Sequence, residues 1–260
     1  MEFTNIALEK KDKIAKIILN RPDILNPLDW KTISEIGEAI DDIDKDESVK
    51  VVIITGAGRA FSAGGDLKFV KDARETPKMW DDFLRLWHRV FNAIENLPKP
   101  VIAAVNGFAL AGGLELVMAC DLAIASEDVR MGDQHINFGL VAGGGGSQRL
   151  CRLVGERRAM ELLLTGKWLT AKEAEQFGLV NRVVPADKLE EAVNEMANSL
   201  LEKSRGAMST LKTLVNWGEQ ADKYTGLELE IMGASKHILF SKDVEKGLKA
   251  FMEKKKAIFD

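Results

Sequence analysis

Short segments rich in β-branched residues alternate with amphipathic segments in the first half of the chain. Ile14–Leu19, residues 50–55 and Val101–Val105 consist mainly of Ile, Val and Ala, which favours buried strands. Residues 30–43 instead place apolar side chains three or four positions apart, and Asp29 precedes them as a candidate N-cap. Strands that alternate with helices in this way predict an α/β fold.

The pattern becomes mostly helical in the last third of the chain. Residues 122–125 and 179–184 are two further strand candidates. We expect residues 1–195 to form the core with its ligand-binding loops, and residues 196–260 to form a helical extension. This extension would pack on the core or on a neighbouring subunit. The helix candidates are residues 186–201, 206–217, 227–239 and 243–255.

Composition narrows the class of protein. The 260 residues, 46% of them hydrophobic, suffice for the core of one domain. The 36 basic and 40 acidic side chains are spread along the chain, whereas nucleic-acid binders concentrate positive charge. No apolar run approaches the ~20 residues that span a bilayer, and the N-terminus lacks the apolar core of a signal peptide. We therefore expect a cytoplasmic protein that binds neither nucleic acid nor membrane.

Glycines are concentrated in three loops, at residues 56–67, 106–116 and 143–150, and the first two follow predicted strands directly. Loops at strand ends are frequent ligand sites in α/β proteins, and glycine lets the backbone approach a ligand closely. The loops match neither GxGxxG, since position 61 is Phe, nor GxxxxGK[ST], which excludes a nucleotide phosphate cradle. The alternative is that the glycines only form tight turns. Two such loops after two strands favour a ligand site.

The second loop has the features of an anion-stabilising helix start. Gly112 and Gly113 precede residues 114–119, which are predicted to be helical. The first N–H groups of a helix have no partner within it and lie at the positive end of its dipole. They could stabilise a carbonyl oxygen that gains negative charge. Glu115 would lie in the first turn, where the dipole favours its ionised form and a general-base role.

Five segments carry a specific combination of motifs. Residues 61–67 match F-x-A-G-x-D-L, and residues 106–121 are similar to N-G-x-x-x-G-G-G-x-E-L-x-x-x-C-D. Residues 139–150 are similar to G-x-x-P-G-x-G-G-T-Q-R-L. Residues 20–26 and 245–251 are similar to N-R-P-x-x-x-N and E-G-x-x-A-F. Over essentially the whole chain, these segments resemble the crotonase (enoyl-CoA hydratase/isomerase) superfamily.

The resemblance implies a spiral of ββα turns with a helical C-terminal trimerisation region, assembled as a homotrimer or homohexamer. It implies an acyl-CoA thioester as substrate, with coenzyme A as part of that substrate, no metal and no covalently bound cofactor. The N–H groups of Gly65 and Gly112 would form an oxyanion hole for the thioester enolate. The implied CoA contacts beyond these two glycines are Ile24, Leu25, Ala60, Ala63, Asp66 and Leu67.

One catalytic position departs from the family pattern. Family hydratases use two glutamates, and Glu115 matches the first. The second glutamate falls on His135, four residues before Gly139. His135 is predicted to be a catalytic acid, because imidazole titrates near neutrality. A substrate contact or a purely structural histidine are the alternatives, and Asp133 is a candidate to orient the ring.

The segment from Phe69 to Leu97 is expected to line the acyl pocket, and its candidates include Trp87 and His88. His88 lies near the place of the catalytic histidine in related CoA-thioester dehalogenases. Those enzymes also need an aspartate in the third loop, and residues 143–146 are all glycine. Dehalogenation is therefore not expected, and His88 is either a pocket wall or a surface residue. The other pocket candidates are Trp80, Phe83 and Leu84.

These residues predict an acyl-CoA lyase that adds water to an enoyl- or dienoyl-CoA, or removes it. The unusual His135 suggests an atypical acyl group, and a cyclic group is one candidate. An isomerase is an alternative, because one base can move a proton within a dienolate. Hydrolysis of a C–C bond in a β-diketone-like thioester is another. A non-catalytic binding role is disfavoured by Glu115 and by the lack of a basic cluster.

Overall fold

Two sheets organise the chain, whose computed structural model describes residues 2–259. Strands of five or six residues form one sheet, with a three-residue strand at one edge, and strands of two or three residues form the other sheet. The ten strands of these residues are β1 (Ile6–Lys11), β2 (Ile14–Leu19), β3 (Val51–Gly56), β4 (Ala60–Ser62), β5 (Val101–Val105), β6 (Phe108–Leu110), β7 (Leu122–Ser126), β8 (Arg130–Gly132), β9 (Leu169–Thr170) and β10 (Arg182–Val184).

The order of the strands defines a spiral. The six-stranded sheet has the order β1-β2-β3-β5-β7-β10, parallel except for the β1–β2 hairpin. The four-stranded sheet has the order β4-β6-β8-β9. Each of β3, β5 and β7 is followed directly by a short strand of the second sheet, and helices lead to the next turn. This arrangement confirms the predicted spiral of ββα turns.

Eleven α-helices lie within residues 2–259. They include the predicted helix, which begins at Trp30 with the Asp29 carboxylate accepting a hydrogen bond from Thr32 N. The helices are α1 (Trp30–Lys45), α2 (Leu67–Ala73), α3 (Pro77–Asn96), α4 (Gly112–Met118), α5 (Gly146–Val154), α6 (Glu156–Thr165), α7 (Ala171–Phe177), α8 (Leu189–Leu201), α9 (Arg205–Gly218), α10 (Lys223–Phe240) and α11 (Lys242–Met252).

Both faces of the long sheet are buried. Successive side chains of a strand point to opposite faces, so Val52 and Ile54 join the core with α1 and α3. Val51 and Ile53 pack instead with α8. Each such aliphatic side chain contributes about 1.5–3 kcal/mol by leaving water. This double burial explains the uninterrupted apolar runs of β3 and β5, and it anchors the loops that follow them.

Helices α8 and α9 both contact the core, and the expected division at residue 195 falls inside α8. Helix α8 runs across residue 195 and packs on the long sheet up to Ala197, so the core extends past the predicted boundary. Helix α9 contacts the core through Lys212, whose Nζ lies 2.7 Å from an Asp121 carboxylate oxygen. Asn216 Nδ2 donates to the Glu95 carbonyl oxygen at 2.7 Å. No helix among residues 2–259 is long and apolar enough to cross a membrane.

Two elements begin three residues later than predicted. The strand expected at residues 179–184 is limited to β10, because the chain leaves α7 through a left-handed Gly178 and residues 179–181 are irregular. The helix expected at residues 186–201 begins as a single 3-10 turn, Ala186–Lys188, before α8.

Candidate active site

A cavity of about 820 Å³ opens where the loops after β4, β6 and β8 meet α3. Its walls combine two polar side chains of the predicted site, Glu115 and His135, with apolar residues. The loops reach this place because β4, β6 and β8 are parallel neighbours, whose ends lie along one edge of the short sheet. The predicted residues that line the cavity are Ile24, Ala63, Gly65, Asp66, Leu67, Trp80, Phe83, Leu84, Trp87, Glu115 and His135.

Two backbone amides form the anion-stabilising part of the site. A β-carbon at Gly112 would lie 3.4 Å from Gly65 N, so the two glycines are adjacent. Among the described residues, neither amide nitrogen donates a hydrogen bond. Gly112 is the first residue of α4, whose orphan N–H groups and dipole favour a negative charge. A thioester oxygen between both donors would be stabilised as it becomes an enolate oxygen.

The Gly65 loop is held by a bridge to the N-terminal region. Leu28 N donates to Gly64 O at 2.8 Å, and Asp66 N donates to Leu28 O at 3.0 Å. The Asp66 carboxylate caps α2 and lies 3.4 Å from an Arg21 guanidinium nitrogen. Asp66 therefore shapes the loop, which explains an aspartate at this point of the motif.

Strain marks the start of α4. Ala111 has φ 47° and ψ −117°, a conformation that favours glycine, and the family motif quoted above has glycine at this position. Backbone in such regions is typical of functional sites, where the surrounding structure compensates about 1–3 kcal/mol. The strained residue immediately precedes the Gly112 amide.

Glu115 is buried inside the cavity wall, 1% exposed. Its Oε1 atom accepts N–H hydrogen bonds from Gly144 and Gly146, both at 2.8 Å. Oε2 accepts none from the described residues. Burial raises the pKa of Glu115, although the His135 charge and the two amide hydrogen bonds oppose the shift. The expectation that Glu115 favours its ionised form is thus corrected, because burial away from water favours the protonated form.

His135 faces the same cavity from the 3-10 helix His135–Phe138. Its Nδ1 atom lies 3.0 Å from Oδ1 of the buried Asp133, as predicted for an orienting carboxylate. A carboxylate oxygen can only accept, so Nδ1–H donates and Nε2 is left for another partner. Burial alone would lower the pKa of His135, but the hydrogen bond and charge of Asp133 and the charge of Glu115 raise it.

The third glycine loop, which the sequence left without a role, holds the base. Its Gly144 and Gly146 amides donate hydrogen bonds to Glu115. Arg149 holds the loop in place. Arg149 donates to Gly144 O at 3.1 Å and forms an ion pair with Glu95 at 2.7 Å. The run of four glycines was the available signal, since side chains there would displace the amides from the carboxylate.

Aromatic side chains of α3 form one wall of the cavity. Trp80, Phe83 and Trp87 recur at helical spacing, and the Phe83 and Trp87 ring centroids lie 5.3 Å apart, edge to face. Trp168 and Phe138, which the sequence did not single out, line the cavity from other segments.

Four predicted contacts are not among the residues that line the cavity. Gly112 is one of them, and it lies just behind the wall, beside Gly65 N and the Trp87 ring. The others are Leu25, Ala60 and His88. His88 lies on the exposed face of α3, one position beyond Trp87 and turned away by the helical period. Leu25 and Ala60 act through backbone carbonyls instead. Leu25 O accepts from Ala63 N at 2.9 Å, and Ala60 O accepts from the Asn26 amide at 2.8 Å. Within residues 2–259, no group of three or more His, Cys, Asp or Glu side chains could hold a metal ion.

Known proteins resemble this chain over nearly its whole length. A family model described as enoyl-CoA hydratase/isomerase matches residues 9–260. The chain is 40% identical over 262 residues to a crotonyl-CoA hydratase of Syntrophomonas wolfei, covering 100% of this chain and 99% of the relative. It is 40% identical over 257 residues to a short-chain-enoyl-CoA hydratase of Clostridium acetobutylicum, covering 98% and 97%.

The fold agrees with a solved relative. An enoyl-CoA hydratase from Bacillus anthracis aligns with a TM-score of 0.93 and 37% identity, over 98% of this chain and 99% of that structure. Both the fold and the paired amides beside a buried carboxylate define a crotonase-type enzyme. The chain belongs to the enoyl-CoA hydratase/isomerase family.

Proposed function

We propose that the protein adds water reversibly to the double bond of an enoyl-CoA thioester. The observation that carries this proposal is the meeting of Glu115, His135 and the two free amides in one cavity. Ionised Glu115 takes a proton from water as the water oxygen bonds to the β-carbon. The π electrons of the double bond move toward the thioester oxygen, which the Gly65 and Gly112 amides stabilise.

The second proton is assigned to His135. With Nδ1 committed to Asp133, the cationic ring presents Nε2–H to the cavity. It protonates the α-carbon of the enolate, and the thioester carbonyl is restored. The proton taken up by Glu115 balances the one that His135 gives. The raised pKa of each group supports this pairing, because a general acid and base work best near the operating pH.

The acyl group is proposed to be compact, with a cyclic dienoyl group as our first choice. Flat indole and phenyl side chains from Trp80, Phe83 and Trp87 present ring surfaces beside the oxyanion hole. Such surfaces favour contact with a planar conjugated ring. The replacement of the second carboxylate by His135 supports an acyl group unlike that of a linear enoyl-CoA.

The CoA portion is proposed to leave the cavity between Ile24 and Leu67. Both side chains are about half exposed at the cavity wall, and they offer apolar contact for an adenine ring. Lys68 lies beside them and supplies a positive charge for a CoA phosphate. Coenzyme A enters only as part of the substrate in this proposal.

We further propose that the helices after Ser204 pack on a neighbouring subunit, in a homotrimer or homohexamer. Apolar side chains remain exposed along these helices, among them Val215, Ile231 and Phe251. Large apolar side chains exposed in this number support an interface along these helices. Light scattering coupled to size exclusion tests the proposal, which a monomer at micromolar concentration would contradict.

The test of the proposed reaction uses linear, cyclic and aryl-conjugated enoyl-CoA thioesters in deuterated water, followed by mass spectrometry. Glu115→Gln is assayed beside wild type. The matched control is Glu156→Gln, which changes an exposed glutamate in the first turn of α6. Gain of one water by wild type and the control, lost in Glu115→Gln, is the expected result.

Other outcomes name other activities. Deuterium in the acyl chain without added water would replace hydration by isomerisation. A shortened acyl chain would point to hydrolysis of a C–C bond. Hydration of linear thioesters alone would keep the reaction and refute the cyclic acyl group.

A further inference from the structure

Arg149 connects the loop that holds the base to the helix that lines the acyl pocket. Its Nη1 atom donates to Gly144 O at 3.1 Å, and its Nη2 atom lies 2.7 Å from both Asn92 Oδ1 and Glu95 Oε2. Asn92 and Glu95 are three positions apart on α3, so they lie on one face of that helix. The Arg149 side chain is 11% exposed, and the planar fork of guanidinium donors suits such a bridge.

The loop needs an anchor of this kind because it is a run of four glycines. Glycine loses more conformational freedom on folding than any other residue, and its backbone rotates with little steric hindrance. A β-carbon at Gly144 or Gly146 would crowd the Glu115 carboxylate. One at Gly145 would overlap Arg149 Nη1 instead, so the guanidinium occupies the space that this glycine leaves.

Successive peptide groups of the loop are directed to different partners. The N–H groups of Gly144 and Gly146 donate to Glu115 Oε1, both at 2.8 Å. The peptide between them directs its carbonyl, Gly144 O, to Arg149. Among the described residues, Arg149 is the donor that holds this carbonyl. Without that donor, rotation about the bonds of the adjoining glycines would carry the flanking N–H groups out of line with Oε1.

We propose that Arg149 is a positioning residue for the base, which keeps the Gly144 and Gly146 N–H groups aimed at Glu115 Oε1. This inference rests on the proposed role of Glu115 as the general base. The two donors stabilise the ionised carboxylate and leave Oε2 for the reacting water. Arg149 is not among the residues that line the cavity, so it acts through the loop and not on the substrate.

Loss of the anchor should therefore weaken the base rather than the binding of substrate. When hydrogen bonds to the carboxylate are lost, the pKa of Glu115 rises further, and less of the base is ionised at a given pH. Hydration should be impaired most at low pH and should recover as pH rises through the new pKa. The charges of His135 and Asp133 also act on Glu115, and both are kept in the variants tested.

The test compares Arg149→Met with Glu95→Leu, which removes a partner of the guanidinium on α3. Charge alone would shift the pKa of Glu115 in opposite directions, because one variant loses a cation and the other loses an anion. Loss of positioning predicts a raised pKa in both. The control is Arg152→Met on the same helix α5, since Arg152 is exposed and donates to Gln148 O.

The assay uses the thioester that wild type hydrates fastest. We expect the acid limb of the kcat–pH profile to move to higher pH in both variants, with kcat about tenfold lower on that limb and KM little changed. The control should match wild type. A pH-independent loss of kcat, or limbs that move in opposite directions, would overturn the proposal. If Arg149→Met fails to fold, Glu95→Leu decides alone, because charge and positioning predict opposite shifts for it.

A second measurement needs no substrate. Infrared difference spectra against Glu115→Gln follow the ionisation of the Glu115 carboxyl group as pH is changed. An unmoved titration in both Arg149→Met and Glu95→Leu would also overturn the proposal. If wild type hydrates no thioester, the proposed function fails, while these spectra still decide whether Arg149 controls the ionisation of Glu115.

Discussion

Replacement of Glu115 by Gln removes the buried charge and the general base, but it keeps the shape of the side chain. In the wild type, Oε1 accepts two amide hydrogen bonds of 2.8 Å inside the protein. The Gln side chain has the same shape, and its single oxygen can accept both bonds. We expect the fold to be kept and hydration to fall by about 10²–10⁴-fold, since general-base catalysis is lost.

The stability of the variant follows from the pKa of Glu115. Burial raises this pKa above its ordinary value of 4.5, so the folded protein retains a proton that the unfolded chain releases. The free energy of unfolding therefore falls as pH rises from about 4.5 to the folded pKa, and stays lower above it. Glu115→Gln removes this part of the pH dependence, so above that window it should be at least as stable as wild type.

Glu115→Ala provides the contrast. It leaves the two amides without an acceptor, at about 1–3 kcal/mol each, and adds a cavity. Unfolding in urea at several pH values measures all three proteins, and loss of the enoyl-thioester absorbance measures hydration. The reasoning would be refuted by a Gln variant that hydrates at wild-type rate, or by one that is as unstable as the Ala variant.

The remaining predictions concern the acid, the oxyanion hole and the C-terminal helices. Asp133→Asn removes the main group that raises the pKa of His135, so the basic limb of the kcat–pH profile should move to lower pH; an unmoved limb would contradict His135 as the acid. Gly112→Ala would force its β-carbon against Trp87, and hydration should fall about 10²-fold or more, as for loss of an oxyanion donor. Lys212→Met removes the ion pair of the partly exposed Asp121 carboxylate and should lower the unfolding free energy by about 1 kcal/mol in urea titration.

The strands and helices that the sequence revealed are those with enough residues to show a period. β3, β5 and α1 each bury a regular set of side chains, and their pattern is visible locally. β4 and β6 have three residues each and lie within the glycine loops, so nothing distinguishes them from turns. Their pairing is set by long-range contacts, which is why the second sheet was not predicted.

The site was foreseen where a motif or a local rule applied. Gly112 and Glu115 followed from the physics of a helix start, and His135 and Asp133 are two positions apart in the chain. The pKa of Glu115 was misjudged, because the depth of its burial depends on segments far along the sequence.

The contact between Trp87 and the third glycine loop could not be predicted from the sequence either. It joins α3 to a loop more than fifty positions away, and no local pattern indicates such a contact. The exposure of His88 follows from the same helix, since only one face of α3 can reach the cavity.

A crystal structure of Glu115→Gln with a bound enoyl-CoA tests the central claim most directly. We predict that the thioester oxygen lies about 2.7–3.1 Å from both Gly65 N and Gly112 N, as expected for an oxyanion hole. The β-carbon should lie beside the side chain at position 115, and the α-carbon should face His135 Nε2. A thioester oxygen bound away from either amide, or an acyl group outside the α3 wall, would contradict the account.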